Sequence, residues 1–174
     1  MLAKVTTEVK NNTLKVDTKN GGWFCCWGHG REDVKVHITV KDLKSVEIDG
    51  SADLTGKGKV VCDTLELSIS GSGDINMELE AKVLETVIAG SGDVKLSGKS
   101  QNFNVAIAGS GDIKAFDLIS DKCETSIAGS GDCQVNAVQE LEVTIAGSGE
   151  VTYKGNPAKV RNSISGSGEV TKVE

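Results

Sequence analysis

Proline is almost missing from this chain, with Pro157 the single example in 174 residues. Aromatic residues are nearly as scarce, at two tryptophans, one tyrosine and three phenylalanines. Glycine, by contrast, reaches 21 residues. Much glycine with almost no proline excludes a disordered Pro/Gly-rich linker and fits tight turns repeated between short strands. No apolar run approaches the roughly 18 residues that a membrane-spanning helix needs, so no membrane span is expected. Basic clusters are missing too. The 25 acidic and 19 basic residues are interspersed and leave a net charge of −6, which excludes a nucleic-acid footprint and predicts no nucleic-acid partner. Five cysteines is an odd number, so complete pairing into disulfides is impossible, and cysteine alone leaves the compartment open. Met1-Leu2-Ala3 leads straight into the polar, alternating Lys4–Lys10 without the apolar core of a signal peptide. That predicts either a cytosolic chain or one whose targeting segment has been removed.

What the chain does contain is a repeat. Ile-x-Gly-Ser-Gly-Asp/Glu recurs with its first glycine at Gly71, Gly90, Gly109, Gly129, Gly147 and Gly166, and a weaker copy, Ile48-Asp49-Gly50-Ser51-Ala52-Asp53, precedes them. The spacings are 21, 19, 19, 20, 18 and 19 residues. Self-similarity at this period is the signature of a solenoid in which each repeat is one rung. Overlaid on the first glycine, the copies share isoleucine two residues before it: Ile48, Ile69, Ile88, Ile107, Ile127, Ile145 and Ile164. Six before it stand Leu65, Leu84, Phe103, Cys123, Leu141 and Val160, and four after it Leu54, Ile75, Val94, Ile113, Cys133, Val151 and Val170. A spacing of two within each half predicts strands whose inward side chains form continuous ladders, broken by a sharp corner at Gly-Ser-Gly. The first glycine is present in all seven copies and the second is Ala52 in the first, which places the strict backbone demand on the first.

The expected fold is all-β: a single-stranded right-handed parallel β-helix of about seven rungs of 18–21 residues, with an irregular N-terminal part. A propeller would need about 40 residues per blade, and helical repeats would show a 3.6-residue period. The chain reads as a single domain, with N-terminal strands and a loop over 1–43 and the repeats over 44–174. In the first part, Val5–Val9, Thr13–Val16 and, most cleanly, Val34–Val40 alternate as half-buried strands do. Between them the glycine-punctuated stretch Asn20–Gly30 breaks the alternation and is expected to protrude as a loop. It holds Trp23, Trp27, Cys25, Cys26 and His29.

These repeats, following a strand-like Val34–Val40 and with Tyr153-Lys154-Gly155-Asn156-Pro157 before the last copy, resemble the bacterial family known as putative auto-transporter adhesin, head GIN domain. The resemblance covers roughly residues 5–172. It implies a right-handed β-helix from a bacterial cell-envelope protein, periplasmic or surface-exposed and usually exported by a signal sequence, and it brings no catalytic residues. The chain departs from the family pattern in its cysteine-rich loop and in lacking an export signal.

Three constellations are candidates for function. Asp53, Asp74, Asp93, Asp112, Asp132, Glu150 and Glu169 form an outward acidic column, one per rung. Unit charges about 5 Å apart repel by roughly 0.8 kcal/mol in water-like surroundings, so something must offset the column. Two readings stand: each carboxylate caps backbone N–H groups of its own turn, or cations such as Ca²⁺ sit between Asp74, Asp93, Asp112 and Asp132. The second constellation is an uncharged face at three before, one before and one after the first glycine. It runs from Ser68/Ser70/Ser72 to Ser163/Ser165/Ser167 and includes Ser91, Ser110, Ser130 and Ser148. Solvated strand faces normally carry long charged side chains. A Ser/Ala/Thr face suits a flat partner such as a cell-surface polysaccharide, a protein or a second copy; crowding near a tight turn would also select small residues. The third is the Trp23–Trp27 loop, as a site for a glycan or another partner. Cys25, Cys26, His29 and His37 lack the Cys-x-x-Cys spacing of a zinc site, so no metal and no cofactor are expected. Cys123 and Cys133 fall on inward positions as core residues.

Catalysis is disfavoured. Arg31 and Arg161 lie outside the repeated faces, and the carboxylates form a ruled line with no pair in contrasting environments. The expectation is a non-catalytic envelope module, adhesive or structural, acting through its flat face or its solenoid ends, self-association included. A binding protein using the tryptophan loop is the alternative, and a polysaccharide-active enzyme stands behind both.

Overall fold

The computed structural model describes residues 4–19 and 34–174, in which every regular element is a strand. The chain forms two compact units, Met1–Val40 and Lys41–Glu174.

In the first unit, β1 (Lys4–Lys10) and β2 (Thr13–Lys19) make an antiparallel hairpin in which Lys10 faces Thr13. The two-residue turn is Asn11-Asn12, with φ of 50° and 64°. Positive φ at both central residues is what a type I′ hairpin turn requires, and asparagine tolerates it better than most residues. Val34–Val40 departs from expectation. It forms no strand, and Val34, Val36, Ile38 and Val40 are all exposed. Alternation supplies a face to bury, but a strand also needs a hydrogen-bonding partner, and among the described residues none pairs with this segment. The expected loop with Trp23, Cys25, Cys26, Trp27 and His29 lies outside the described residues.

The second unit is the solenoid. Its strands are β3 (Ser45–Gly50), β4 (Leu54–Gly71), β5 (Ile75–Gly90), β6 (Val94–Gly109), β7 (Ile113–Gly129), β8 (Cys133–Gly147), β9 (Glu150–Lys154), β10 (Lys159–Gly166) and β11 (Glu169–Lys172). Each of β3 to β7 pairs in parallel with the next, β9 and β10 both pair with β8, and β11 pairs with β9. The register aligns Gly50, Gly71, Gly90, Gly109, Gly129, Gly147 and Gly166, so the seven corners stack as about seven turns. The isoleucines from Ile48 to Ile145 are buried in one column, and Ile75, Val94, Ile113, Cys133 and Val151 fill a second. Leu65, Leu84, Phe103, Cys123 and Leu141 fill a third.

Both corner glycines prove strict, for different reasons: the backbone demand falls on the first, as expected, and a packing demand between rungs falls on the second. Every first glycine has positive φ, from +110° at Gly50 to +144° at Gly129, a region closed to other L-residues without strain. The second glycines do not, yet a Cβ at Gly73, Gly92, Gly111, Gly131 or Gly149 would lie 2.2–2.4 Å from a carbonyl oxygen of the preceding rung. It would also lie within about 3 Å of the preceding isoleucine's Cγ2. The isoleucine ladder and the second glycine are thus one packing unit: the branched side chain sits over the bare Cα of the rung above.

Variation in rung length is absorbed away from the corner. Register shifts fall between Thr55 and Lys59, Lys95 and Ser97, Lys114 and Ile119, and Ser120 and Lys122. The strand leading into each Gly-Ser-Gly remains unbroken, and that constancy keeps the outer columns straight.

Candidate functional site

Outside each corner, the pleat turns the residues three before, one before and one after the first glycine toward solvent. Ser68 and Val87 are half-buried; the other sixteen of these eighteen positions are exposed. Ser72, Ser91, Ser110, Ser130 and Ser148 stand in file at the corner. Their backbone N–H groups donate to the first glycine's carbonyl of the rung below at 2.8–2.9 Å, which fixes the spacing of the file at one strand separation. The result is a sheet face without a charged or aromatic side chain across six rungs.

Acidic columns border this face on both sides. On the corner side stand Asp53, Asp74, Asp93, Asp112, Asp132, Glu150 and Glu169, as expected. Their capping differs from an Asx-turn, because the N–H groups come from the next rung. Asp74 N donates to Asp53 Oδ1 at 3.3 Å, Asp93 N to Asp74 Oδ1 at 3.1 Å, Asp132 N to Asp112 Oδ1 at 3.0 Å and Glu150 N to Asp132 Oδ1 at 3.0 Å. A hydrogen bond to a charged acceptor contributes about 1.5–3 kcal/mol, more than the repulsion between neighbouring carboxylates. Lys114, two residues past Asp112, lies beside the column as a built-in cation, its Nζ 2.8 Å from Asp93 Oδ2. Its pKa is raised, first by that hydrogen bond and the charge of Asp93, and further by Asp112 and Asp74, against a smaller opposing effect of desolvation. Among the described residues, no three of His, Cys, Asp or Glu converge as a metal ion would require.

The second acidic column lies five residues before each first glycine: Glu66, Glu85, Glu124 and Glu142, with Asn104 in register among them and Arg161 at the end. Sequence reasoning passed over it, although its signal is the same 19-residue period. Between this column and the small-residue face lie two separate shallow depressions. One, about 270 Å³, is lined by Glu85, Asn104, Glu124, Val105, Ala106 and Ser126 with Thr86, and the other, about 180 Å³, by Ser45, Val46, Glu47, Glu66 and Ser68.

The remaining candidates fall elsewhere. Trp23 and Trp27 lie outside the described residues. His37 is exposed on the unpaired Val34–Val40 segment. Cys123 and Cys133 are buried free thiols. Burial pushes Cys123 up to about 12, against a small opposing hydrogen bond with Thr125, and raises Cys133 well above the usual thiol range. Neither is a thiolate at neutral pH, and both act as core residues.

Comparison with known proteins agrees with this architecture. The crystal structure of a putative adhesin from Bacteroides fragilis superposes with a TM-score of 0.81 at 26% identity, covering 97% of this chain and 76% of that one. A putative lipid binding protein from Parabacteroides distasonis is 31% identical, with a TM-score of 0.75 over 98% of this chain and 79% of its own. A putative adhesin from Parabacteroides merdae is 25% identical, with a TM-score of 0.76 over 98% and 78% of the two chains. No curated protein matches significantly. The family described as "Putative auto-transporter adhesin, head GIN domain" matches residues 1–157, and the stacked Gly-Ser-Gly rungs are therefore those of a member: the chain belongs to that family.

Proposed function

We propose that this chain is a non-catalytic surface-interaction module of the bacterial cell envelope, adhesive in role, and that it works through its Ser/Ala/Thr face. The observation that carries this reading is the face itself: six rungs of small, uncharged, solvent-facing residues in a chain of which 25% is charged. A face of that kind lets a flat partner approach the backbone closely without desolvating charges. Its expected partners are a cell-surface polysaccharide or protein, or a second copy. The family's adhesin description supports an envelope or surface location. Among the described residues no helix is long and apolar enough to cross a membrane. A non-enzymatic role is supported by carboxylates that stand in single file one rung apart.

The test is binding of purified protein to immobilised cell-surface polysaccharide and to whole bacterial cells. Ala108→Glu and Ala128→Glu, each made singly, place charge at the centre of the face on exposed positions. Loss of binding by at least tenfold, with an unchanged circular dichroism spectrum, is the expected result. Binding that survives both substitutions but disappears on removal of residues 21–30 would move the site to the Trp23–Trp27 loop and sink this reading.

A further inference from the structure

The second corner glycine has one exception, Ala52, and its position in the stack gives it a meaning. Corner Cα atoms carry their absent Cβ toward the preceding rung. A Cβ at Gly73 would meet the carbonyl of Ala52 at 2.2 Å, and one at Gly92 would meet the carbonyl of Gly73 at 2.2 Å. The same holds at the first position, where Gly71 would strike the Gly50 carbonyl at 2.2 Å, whereas Gly50 itself meets nothing within 4 Å. Gly50 and Ala52 thus belong to the one corner with no corner beneath it, and β3 ends the sheet on that side among the described residues. Gly50 is held as glycine by its φ of +110°. Residue 52 is released from the contact that makes its six counterparts glycine, and it carries a methyl group aimed at the space a further rung would occupy.

We infer that Ala52 is a steric stop, which closes the first edge of the solenoid to end-on stacking by a second copy of this chain. The incoming edge would be the opposite end of the sheet, β10 and β11. There Ile164 is 41% exposed and Val160 43% exposed, while their counterparts one rung inward, Ile145 and Leu141, are buried. Seated by the register that joins every other pair of rungs, that edge would bring the Gly166 carbonyl to the N–H of Ser51, as the Gly50 carbonyl receives Ser72 N. It would set Ile164 over residue 52, as Ile48 sits over Gly73. The Gly168 carbonyl would then lie where the Ala52 methyl is, at the 2.2 Å separation seen between the Gly73 Cβ position and the Ala52 carbonyl. Head-to-tail stacking is heterologous and does not close, so an edge left open would build filaments. The methyl group at this corner opposes the register by the same overlap that keeps residue 52's counterparts glycine.

The experiment is sedimentation velocity and small-angle scattering of the 174-residue chain across a hundredfold concentration range, for wild type, Ala52→Gly, Ala52→Val and the double variant Ala52→Gly/Ile164→Lys. Ala52→Gly is expected to at least double its weight-average mass with concentration and to lengthen along one axis. Wild type and Ala52→Val should keep a constant mass, and the double variant should return to it. The inference falls if Ala52→Gly sediments as wild type does, if wild type already assembles end to end, or if the added lysine leaves the association intact. The surface binding proposed above is read separately, so either result can fail without the other.

Discussion

Inside the solenoid, buried hydroxyl groups find partners at every site but one. Ser100 Oγ donates to the Asn102 carbonyl at 2.8 Å, Ser120 Oγ donates to that of Asn136 at 2.9 Å, and Thr125 Oγ1 lies 3.6 Å from Cys123 Sγ. Thr86 Oγ1 is buried with no hydrogen-bond partner among the described residues. The next rung has Val105 in register with it, so the site accepts a branched apolar residue. An unpaired buried hydroxyl costs about 1–3 kcal/mol, so Thr86→Val is expected to raise unfolding stability by roughly 1 kcal/mol in denaturant titration. A loss of stability would show that the hydroxyl is satisfied after all. The buried thiol at Cys123 gives a pH prediction. Its pKa is raised from 9 to about 12 by folding, so the unfolded chain releases its proton first as pH climbs. Stability is therefore fully present below about pH 9 and declines as pH rises toward 12. Cys123→Val should flatten that alkaline limb, measured as unfolding midpoint against pH; an unaltered slope would count against the assignment.

At the scale of the corner and its strands, two kinds of demand on glycine can be separated by substitution. Gly50→Ala meets open space and only the cost of positive φ, about 1–3 kcal/mol. Gly111→Ala has no φ penalty, but its Cβ lies 2.4 Å from the Gly92 carbonyl and 2.8 Å from Ile88 Cγ2. Backbone on one side and packed core on the other leave no room to give, so the expected cost is about 3 kcal/mol or more. Thermal melts of the two variants check the order, and a milder effect at Gly111 would contradict the close approach of rungs. The first demand was legible from glycine in all seven copies. The second was not, because closeness between rungs is a property of the stack. Val34–Val40 failed for a related reason. Its alternation is as clean as that of the repeats, but period-2 patterning says which face would be buried and nothing about whether a neighbouring edge is there to bond.

For the solenoid as a whole, the arrangement predicts modular behaviour. Each rung contacts its neighbours, the seven corners are in register, and length differences are absorbed away from the Gly-Ser-Gly turn. Removing Ser91–Gly109 joins Gly90 to Ser110 and takes out one full 19-residue rung without disturbing either ladder. The shortened protein should fold with an unchanged β-type spectrum and one cooperative transition, with Tm lowered by less than about 10 °C. Removing half a rung, residues 91–100, would throw every later isoleucine out of line and should abolish folding. If both deletions behave alike, the stack is not the unit of stability.

Much of this architecture was written in the spacing of residues. A glycine-serine corner every 18–21 positions with an isoleucine two before it admits few arrangements other than stacked rungs, because only in-register stacking buries the isoleucines together. The outward Ser/Ala/Thr columns followed from the same alternation, since a pleat sends neighbouring residues to opposite faces. The contacts between rungs were decided only in three dimensions. An aspartate accepts the N–H of the acid one rung above it, Lys114 lies beside the acidic column at Asp93, and a second row of glutamates walls the other side of the flat face. Those partners stand 18–21 residues apart in the chain and one strand apart in space. Periodicity names which positions are equivalent, whereas the distance between backbones determines which of them touch.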